Sequence, residues 1–255
     1  MKIGLIGAGA IGQYLLKYIN GKHHEKMEIT SVLVRDFDKY AHLQKEYRVK
    51  LYTDLDEFID SEVDIIVEAA NVSVAVDLLP KIIKRKEVML ISVGALENQE
   101  TLKLVGQSDN RTLHLPSGAI GGLDLIQNAK GLGNLDSVSL TTRKPALSLI
   151  DELPDKEMIV FEGPASEAID KYPKNMNVSI VLSLAGLGME HTKVTLIADP
   201  NVDKNIHTIH ATGNFGEMEL TVKNVPLLEN PKTSSLAALS VFSTLERLAE
   251  KVKIG

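Results

Sequence analysis

Glycines stand at positions 7, 9 and 12 of the string Gly7-Ala8-Gly9-Ala10-Ile11-Gly12, which follows directly on the apolar run Lys2-Ile3-Gly4-Leu5-Ile6. This spacing suits a dinucleotide. Gly7 allows a tight turn out of a strand, Gly9 lets the backbone approach a pyrophosphate, and Gly12 lets the next helix pack on that strand. Ala10 and Ile11 open the helix, whose free N–H groups would face the phosphates. The amphipathic run Ile11, Leu15, Leu16, Ile19 and the stop at Gly21 give the motif the strand-turn-helix context it needs. At the end of the second strand, a carboxylate would bond the ribose hydroxyls of NAD, and an arginine would attract the 2′-phosphate of NADP. The chain has Arg35 followed by Asp36, so both cofactors stay open. Glu68-Ala69-Ala70-Asn71 ends the fourth strand, and the small Ala69 leaves room there for a nicotinamide ring.

The string Pro116-Ser117-Gly118-Ala119-Ile120-Gly121-Gly122-Leu123-Asp124 is more distinctive. Five of the six residues from Ser117 to Gly122 are small, which exposes backbone to a ligand. Glycine clusters cost conformational entropy, so a bare connector does not account for them; a hinge is the structural alternative.

The elements that must position these residues follow from periodicity. Strands at Ile29–Val34, Val49–Tyr52, Val63–Val67, Val88–Ser92 and Thr112–Leu115 alternate with helices, the pattern of a parallel sheet covered on both faces. Thr53 and Ser73 are the expected helix caps, Asn98 with Glu100 opens another helix, and Pro80 is expected to kink the one it lies in. From Pro116 the alternation changes. Ser137–Arg143, Lys193–Ile197, His207–Thr212 and Glu217–Val222 read as strands of a sheet with one solvated face, with helices at Ser166–Lys171 and Val178–Leu187 between them. The expected fold is therefore α/β: a Rossmann-type doubly wound parallel sheet, plus a second α+β domain with a mainly antiparallel sheet. The first domain takes 1–115 and the second, for substrate binding, catalysis and dimerisation, takes 116–235. Asn224–Ser235 reads as a linker. The final amphipathic helix, 236–255, is expected to pack back on the nucleotide domain.

Composition excludes several classes. A net charge of −6 lacks the basic stripe of a nucleic-acid binder. The absence of cysteine removes disulfides, cysteine-ligated zinc and any thioester route through a thiol nucleophile, and no other metal site is read. Because Lys2–Ile6 is already the first strand, no signal peptide is expected. The most apolar later run, Val178–Met189, is about twelve residues and too short to span a bilayer. A cytoplasmic enzyme with no membrane partner is the expectation.

Taken together, Gly7–Gly12, Ser117–Asp124, Thr142-Arg143-Lys144-Pro145, Asn175-Met176-Asn177-Val178, Asn205-Ile206-His207 and Gly213-Asn214-Phe215-Gly216-Glu217 resemble the L-aspartate dehydrogenase family, in the same order over essentially the whole chain. The resemblance implies a reversible, NAD- or NADP-dependent oxidation of L-aspartate to iminoaspartate, which hydrolyses to oxaloacetate and ammonia or feeds the making of NAD. It also implies a homodimer. Carried over by position, the family's catalytic histidine falls on His207 and its cofactor contacts on Ala119 and Asn177, with Asn175 the alternative to the latter.

The chemistry asks for such residues independently. Hydride leaves the substrate carbon only as the amine loses a proton, so a base that titrates near neutrality must stand beside that nitrogen. Of the seven histidines, His23, His24 and His42 lie in polar stretches, His191 follows a helix, and His210 should face away from His207 on the same strand. His114, in the sixth strand, is the main competitor. A dicarboxylate also needs cations, for which Arg143 and Lys144 are the candidates. The closest alternatives are another two-domain amino-acid-pathway reductase, of the dihydrodipicolinate reductase or homoserine dehydrogenase type, and a dinucleotide sensor without catalysis. The first would carry paired histidines and a lysine in its second domain and the second a Lys-Asp pair, neither of which is found, and a sensor leaves Ser117–Asp124 and Asn205-Ile206-His207 without a purpose.

Overall fold

A computed structural model describes residues 1–97, 99–107, 111–173, 176–227 and 230–252 of the chain. The chain divides into two units: Met1–Pro116 together with the stretch from Ala238 onward, and Ser117–Ala237.

In the first unit, β1 (Lys2–Ile6), β2 (Glu28–Leu33), β3 (Lys50–Tyr52), β4 (Ile65–Glu68), β5 (Glu87–Leu90) and β6 (Leu113–His114) form one parallel sheet in the order β3-β2-β1-β4-β5-β6. The connections carry α1 (Ala10–Ile19), α2 (Phe37–Tyr40), α3 (His42–Tyr47), α4 (Leu55–Ile59), α5 (Val72–Ile82) and α6 (Gln99–Gly106). Both faces of β1 and β4 are buried, as a parallel sheet covered by helices requires. The strand order reverses between β1 and β4, which opens a crevice at their carboxyl ends.

The helix starts are corrected by one or two residues. Asp54, not Thr53, caps α4 by accepting the Glu57 N–H, and Asn71, not Ser73, caps α5 by accepting the Val74 N–H. Each of these residues has the extended backbone that lets its side-chain oxygen reach a free N–H two or three positions on. Asn98 lies outside the described residues, and α6 runs on from Gln99. Pro80 stands in the last turn of α5.

The second unit holds α7 (Leu123–Gly131), β7 (Leu135–Pro145), β8 (Met158–Pro164), α8 (Ala165–Lys171), α9 (Asn177–Ala185), β9 (Thr192–Asp199), β10 (Ile206–Gly213) and β11 (Gly216–Lys223). Its sheet runs β11-β10-β7-β9-β8, antiparallel throughout except for the parallel pair β7 and β9. The stretch Asn224–Ser235, expected as a linker, contains the small pair β12 (Pro226–Leu227) and β13 (Asn230–Ser234), so it is folded rather than a bare connector.

The chain then enters α10 (Ser235–Ala249). Val241 and Leu245 of α10 are buried in the same apolar cluster as Ile3, Leu5, Leu15 and Leu16. The final helix therefore belongs to the core of the first unit, which is discontinuous in sequence. A bidentate ion pair from Lys26 to Glu250, at 2.6 and 2.7 Å, fixes its far end. Among the described residues no helix is long and apolar enough to cross a membrane.

Candidate active site

In the first unit, a cleft of about 770 Å³ opens at the carboxyl ends of β1, β2 and β4, lined by Gly7, Gly9, Arg35, Asp36, Lys39 and Ala69 among others. The three motif glycines do different work. Gly7 has φ +89°, which a side chain would strain. A Cβ on Gly12 would lie 2.4 Å from the Gly7 carbonyl oxygen, so this glycine lets α1 approach β1. A Cβ on Gly9 would meet nothing within 4 Å. Its backbone is extended, with φ −77°, and any residue could adopt it.

The protein itself therefore has no need of a glycine at position 9, whereas a pyrophosphate lying against the start of α1 does. Gly9→Ala is expected to move the melting temperature of the apoprotein by less than about 3 °C, while weakening dinucleotide binding at least ~10-fold. Gly12→Ala is expected to lower the melting temperature as well. Calorimetry of the two variants separates the roles, and unaltered dinucleotide binding by Gly9→Ala would refute the phosphate cradle.

Arg35 and Asp36 both reach this cleft, but they stand differently. The Asp36 carboxylate accepts the Lys39 N–H at 3.0 Å and caps α2, which leaves only part of its acceptor capacity for a ribose. Arg35 is exposed. Ala69 and its neighbours are held by a residue whose role was hidden in the sequence, Glu68. It is 2% exposed, and its carboxylate accepts the Ala70 N–H at 2.8 Å, the Ser92 N–H at 2.9 Å and the Ser92 hydroxyl at 3.0 Å. Glu68 thus joins the turn after β4 to the turn after β5. Burial pushes its pKa up, and the donors from Ser92 and Ala70 offset part of that rise.

In the second unit the chemistry gathers on one face of the sheet. Strand alternation sends Val138, Leu140, Thr142 and Lys144 of β7 to the buried face, where Ala211, Ile209 and His207 of β10 pair with the first three in register. The face is apolar along most of its length and turns polar at the His207 end. His207 is 4% exposed, and its Nδ1 lies 3.0 Å from the Thr142 hydroxyl. Burial, reinforced by the positive charge of Lys144, lowers its pKa from the usual 6.5 to about 4. Burial also lowers Lys144 to about 8. At neutral pH the ring is therefore uncharged and the lysine largely cationic. The arrangement offers a proton acceptor beside a positive charge.

His207 is the buried histidine of the seven; the others are exposed or half-exposed. His114 pairs with Glu87 at 3.1 Å, and His210, on the opposite face of β10, pairs with Glu217 at 2.6 Å. Arg143 points to the face opposite Thr142 and His207, where its guanidinium is engaged by Glu157 and by Asp199 at 2.6 Å, so it is not brought to the histidine. Adjacent strand residues alternate, and only Lys144 of the two candidates shares the His207 face. Ala119 is 9% exposed, and Asn177 is the first, exposed residue of α9. Asn175 lies outside the described residues.

Over its full length the chain is 37% identical across 268 residues to an L-aspartate dehydrogenase of Methanocaldococcus jannaschii and 40% identical across 272 residues to that of Methanosarcina mazei, covering 99% of each. The chain belongs to the L-aspartate dehydrogenase family. Residues 124–248 match the family described as Aspartate dehydrogenase, C-terminal, and residues 7–115 the one described as Homoserine dehydrogenase, NAD binding domain. The crystal structure of aspartate dehydrogenase from Thermotoga maritima matches with a TM-score of 0.79 at 28% identity, covering 100% of this chain and 99% of that one. Scyllo-inositol dehydrogenase from Lactobacillus casei, solved with NAD(H) and scyllo-inositol, shares the fold at a TM-score of 0.57 and 14% identity, over 100% of this chain and 91% of that one. Membership of the family joins a Rossmann-type unit to a second, mixed-sheet unit.

Proposed function

We propose that this chain oxidises L-aspartate to iminoaspartate with NAD or NADP, the imine then hydrolysing to oxaloacetate and ammonia. Full-length family membership supports the substrate. The observation that carries the mechanism is the buried, uncharged His207 beside the cationic Lys144.

The cofactor, when bound, accepts the Cα hydrogen as a hydride. The residues of the chain do the rest. The Gly7–Gly12 turn holds the pyrophosphate, with the N–H groups at Ala10 and Ile11 opening the helix behind it. Ala69 belongs to the nicotinamide wall, and Ala119 and Asn177 are the further cofactor contacts. His207 accepts the proton that the substrate ammonium must lose as the C=N bond forms. The Thr142 hydroxyl, 3.0 Å from Nδ1, orients the ring, and in the tautomer that carries its proton on Nδ1 the accepting atom is Nε2. Lys144 neutralises a substrate carboxylate. Burial is the larger cause of the low His207 pKa and the Lys144 charge the second, so that pairing offsets the second cause alone and raises the pKa part of the way. A homodimer is the assembly this reading carries with it, which sedimentation of the purified protein tests, and the cytoplasm is the location proposed with it.

Of the two cations that line the cleft, Arg35 and Lys39, Arg35 is the candidate to select the 2′-phosphate. Arg35→Ala is expected to weaken NADP binding about 10-fold and to leave NAD binding within about threefold, an effect of ~1.4 kcal/mol on one cofactor alone. Equal losses for both cofactors, or none, would make Arg35 a solvated charge. The activity itself is tested by reduction of either cofactor on addition of L-aspartate.

A further inference from the structure

Asn224 is a buried polar side chain that the mechanism leaves unused. It follows β11, is 4% exposed, and has both ends of its amide satisfied. Nδ2 donates to the Ala119 carbonyl at 3.1 Å, across 105 residues of chain, and Oδ1 accepts the Ser234 hydroxyl at 2.6 Å. Its main-chain N–H donates to the Asn205 carbonyl at 2.9 Å. One residue thereby joins three segments: the glycine-rich loop, the lead into β10 two residues before His207, and the end of β13. Ser234 continues the network by accepting the Leu236 N–H at 3.2 Å.

The loop bends through two left-handed glycines, Gly118 at φ +66° and Gly122 at φ +72°, on either side of the buried pair Ala119 and Ile120. The chain also enters the unit at Ser117 and leaves it at Ala237, within three residues of the two groups that the Asn224 amide bonds. An amide suits this position because one end must donate to a carbonyl while the other accepts from a hydroxyl. A carboxylate offers no donor to Ala119, and an alanine leaves buried polar groups without partners.

We propose that Asn224 is a positioning residue that sets the Ser117–Gly122 loop against the strand presenting His207. The inference rests on the reading of Ala119 as a cofactor contact and His207 as the base. A displacement of the loop by about 1 Å in such a site costs roughly 10²-fold in rate.

The test uses Asn224→Asp, which keeps the shape of the side chain. As a carboxylate it sets an acceptor against the Ala119 carbonyl; as a carboxylic acid it can donate an O–H to it, and burial raises the pH at which that happens. The ratio of variant to wild-type kcat for L-aspartate oxidation is expected near 10⁻² at about pH 8.5 and to climb as pH falls toward ~5.5, where a buried carboxyl regains its proton. Amide hydrogen exchange in Ser117–Gly122, compared at one pH above neutrality, should be faster in the variant. Ser234→Ala, a milder change that frees the amide to turn, should move exchange and kcat the same way by a smaller factor. A ratio flat with pH, or wild-type exchange in the loop in both variants, overturns the proposal. Failure of the wild type to oxidise L-aspartate would overturn the functional reading instead, and loop exchange would still report whether Asn224 holds the loop.

Discussion

His207→Ala is expected to lower kcat for L-aspartate oxidation by about 10²- to 10⁴-fold, the usual range for a lost acid–base group, while dinucleotide affinity stays within about threefold. The reason lies in where the ring sits. It is buried, uncharged at neutral pH, and oriented through Nδ1 by the Thr142 hydroxyl at 3.0 Å, which leaves Nε2 as the ring nitrogen without that contact. The glycine turn that would hold the pyrophosphate belongs to the first unit, and the substitution lies in the second. Steady-state kinetics and calorimetry on the same preparation make the check. If turnover survives, the base is another group. His114 is the next candidate, although Glu87 already holds its ring.

Lys144→Met is expected to raise KM for L-aspartate by about 10²-fold, the scale of a lost charge-assisted hydrogen bond of ~1.5–3 kcal/mol. It also has a signature that simple loss of packing lacks. Burial is the larger cause of the low His207 pKa, and the Lys144 charge is the second, since it disfavours a protonated ring nearby. With that charge removed, the imidazolium is penalised less and the pKa of His207 rises from about 4 toward its ordinary value. The acid limb of the kcat/KM profile, which reports the free enzyme, therefore shifts to higher pH in the variant. In the wild type, the acid limb of kcat should lie above that of kcat/KM, because a bound substrate carboxylate offsets the same charge. An acid limb that stays in place, or moves to lower pH, would show that Lys144 does not act on His207.

The parts of this site that were legible in the sequence are those whose chemistry is local. The Gly7–Gly12 turn needs only its neighbours, because the tight turn, the close helix approach and the open space at Gly9 all arise within one strand-turn-helix unit. The choice between Arg143 and Lys144 needed the register of β7 against β10, since adjacent residues face opposite ways and parity alone decides which one meets His207. Strand β8 was hidden because Met158-Ile159-Val160-Phe161 is continuously apolar, with no alternation to mark it, and it lies at the edge of the sheet. Glu68 and Asn224 were read as a strand end and a linker residue. Their functions are long-range hydrogen bonds, to Ser92 in one case and to Ala119 in the other, and no local pattern encodes them. The caps shifted from Thr53 to Asp54 and from Ser73 to Asn71 because several oxygen-bearing side chains compete at each helix start, and only backbone geometry selects among them.

If this chain removes hydride and proton from L-aspartate with His207 as the base, the absorbance of reduced nicotinamide separates purified wild type from His207→Ala when both are given L-aspartate with NAD or NADP. The wild type forms reduced cofactor steadily and the variant almost none, with both proteins binding the cofactor. A wild type that binds a dinucleotide yet reduces neither with L-aspartate would contradict that chemistry, as would a variant that keeps pace with the wild type.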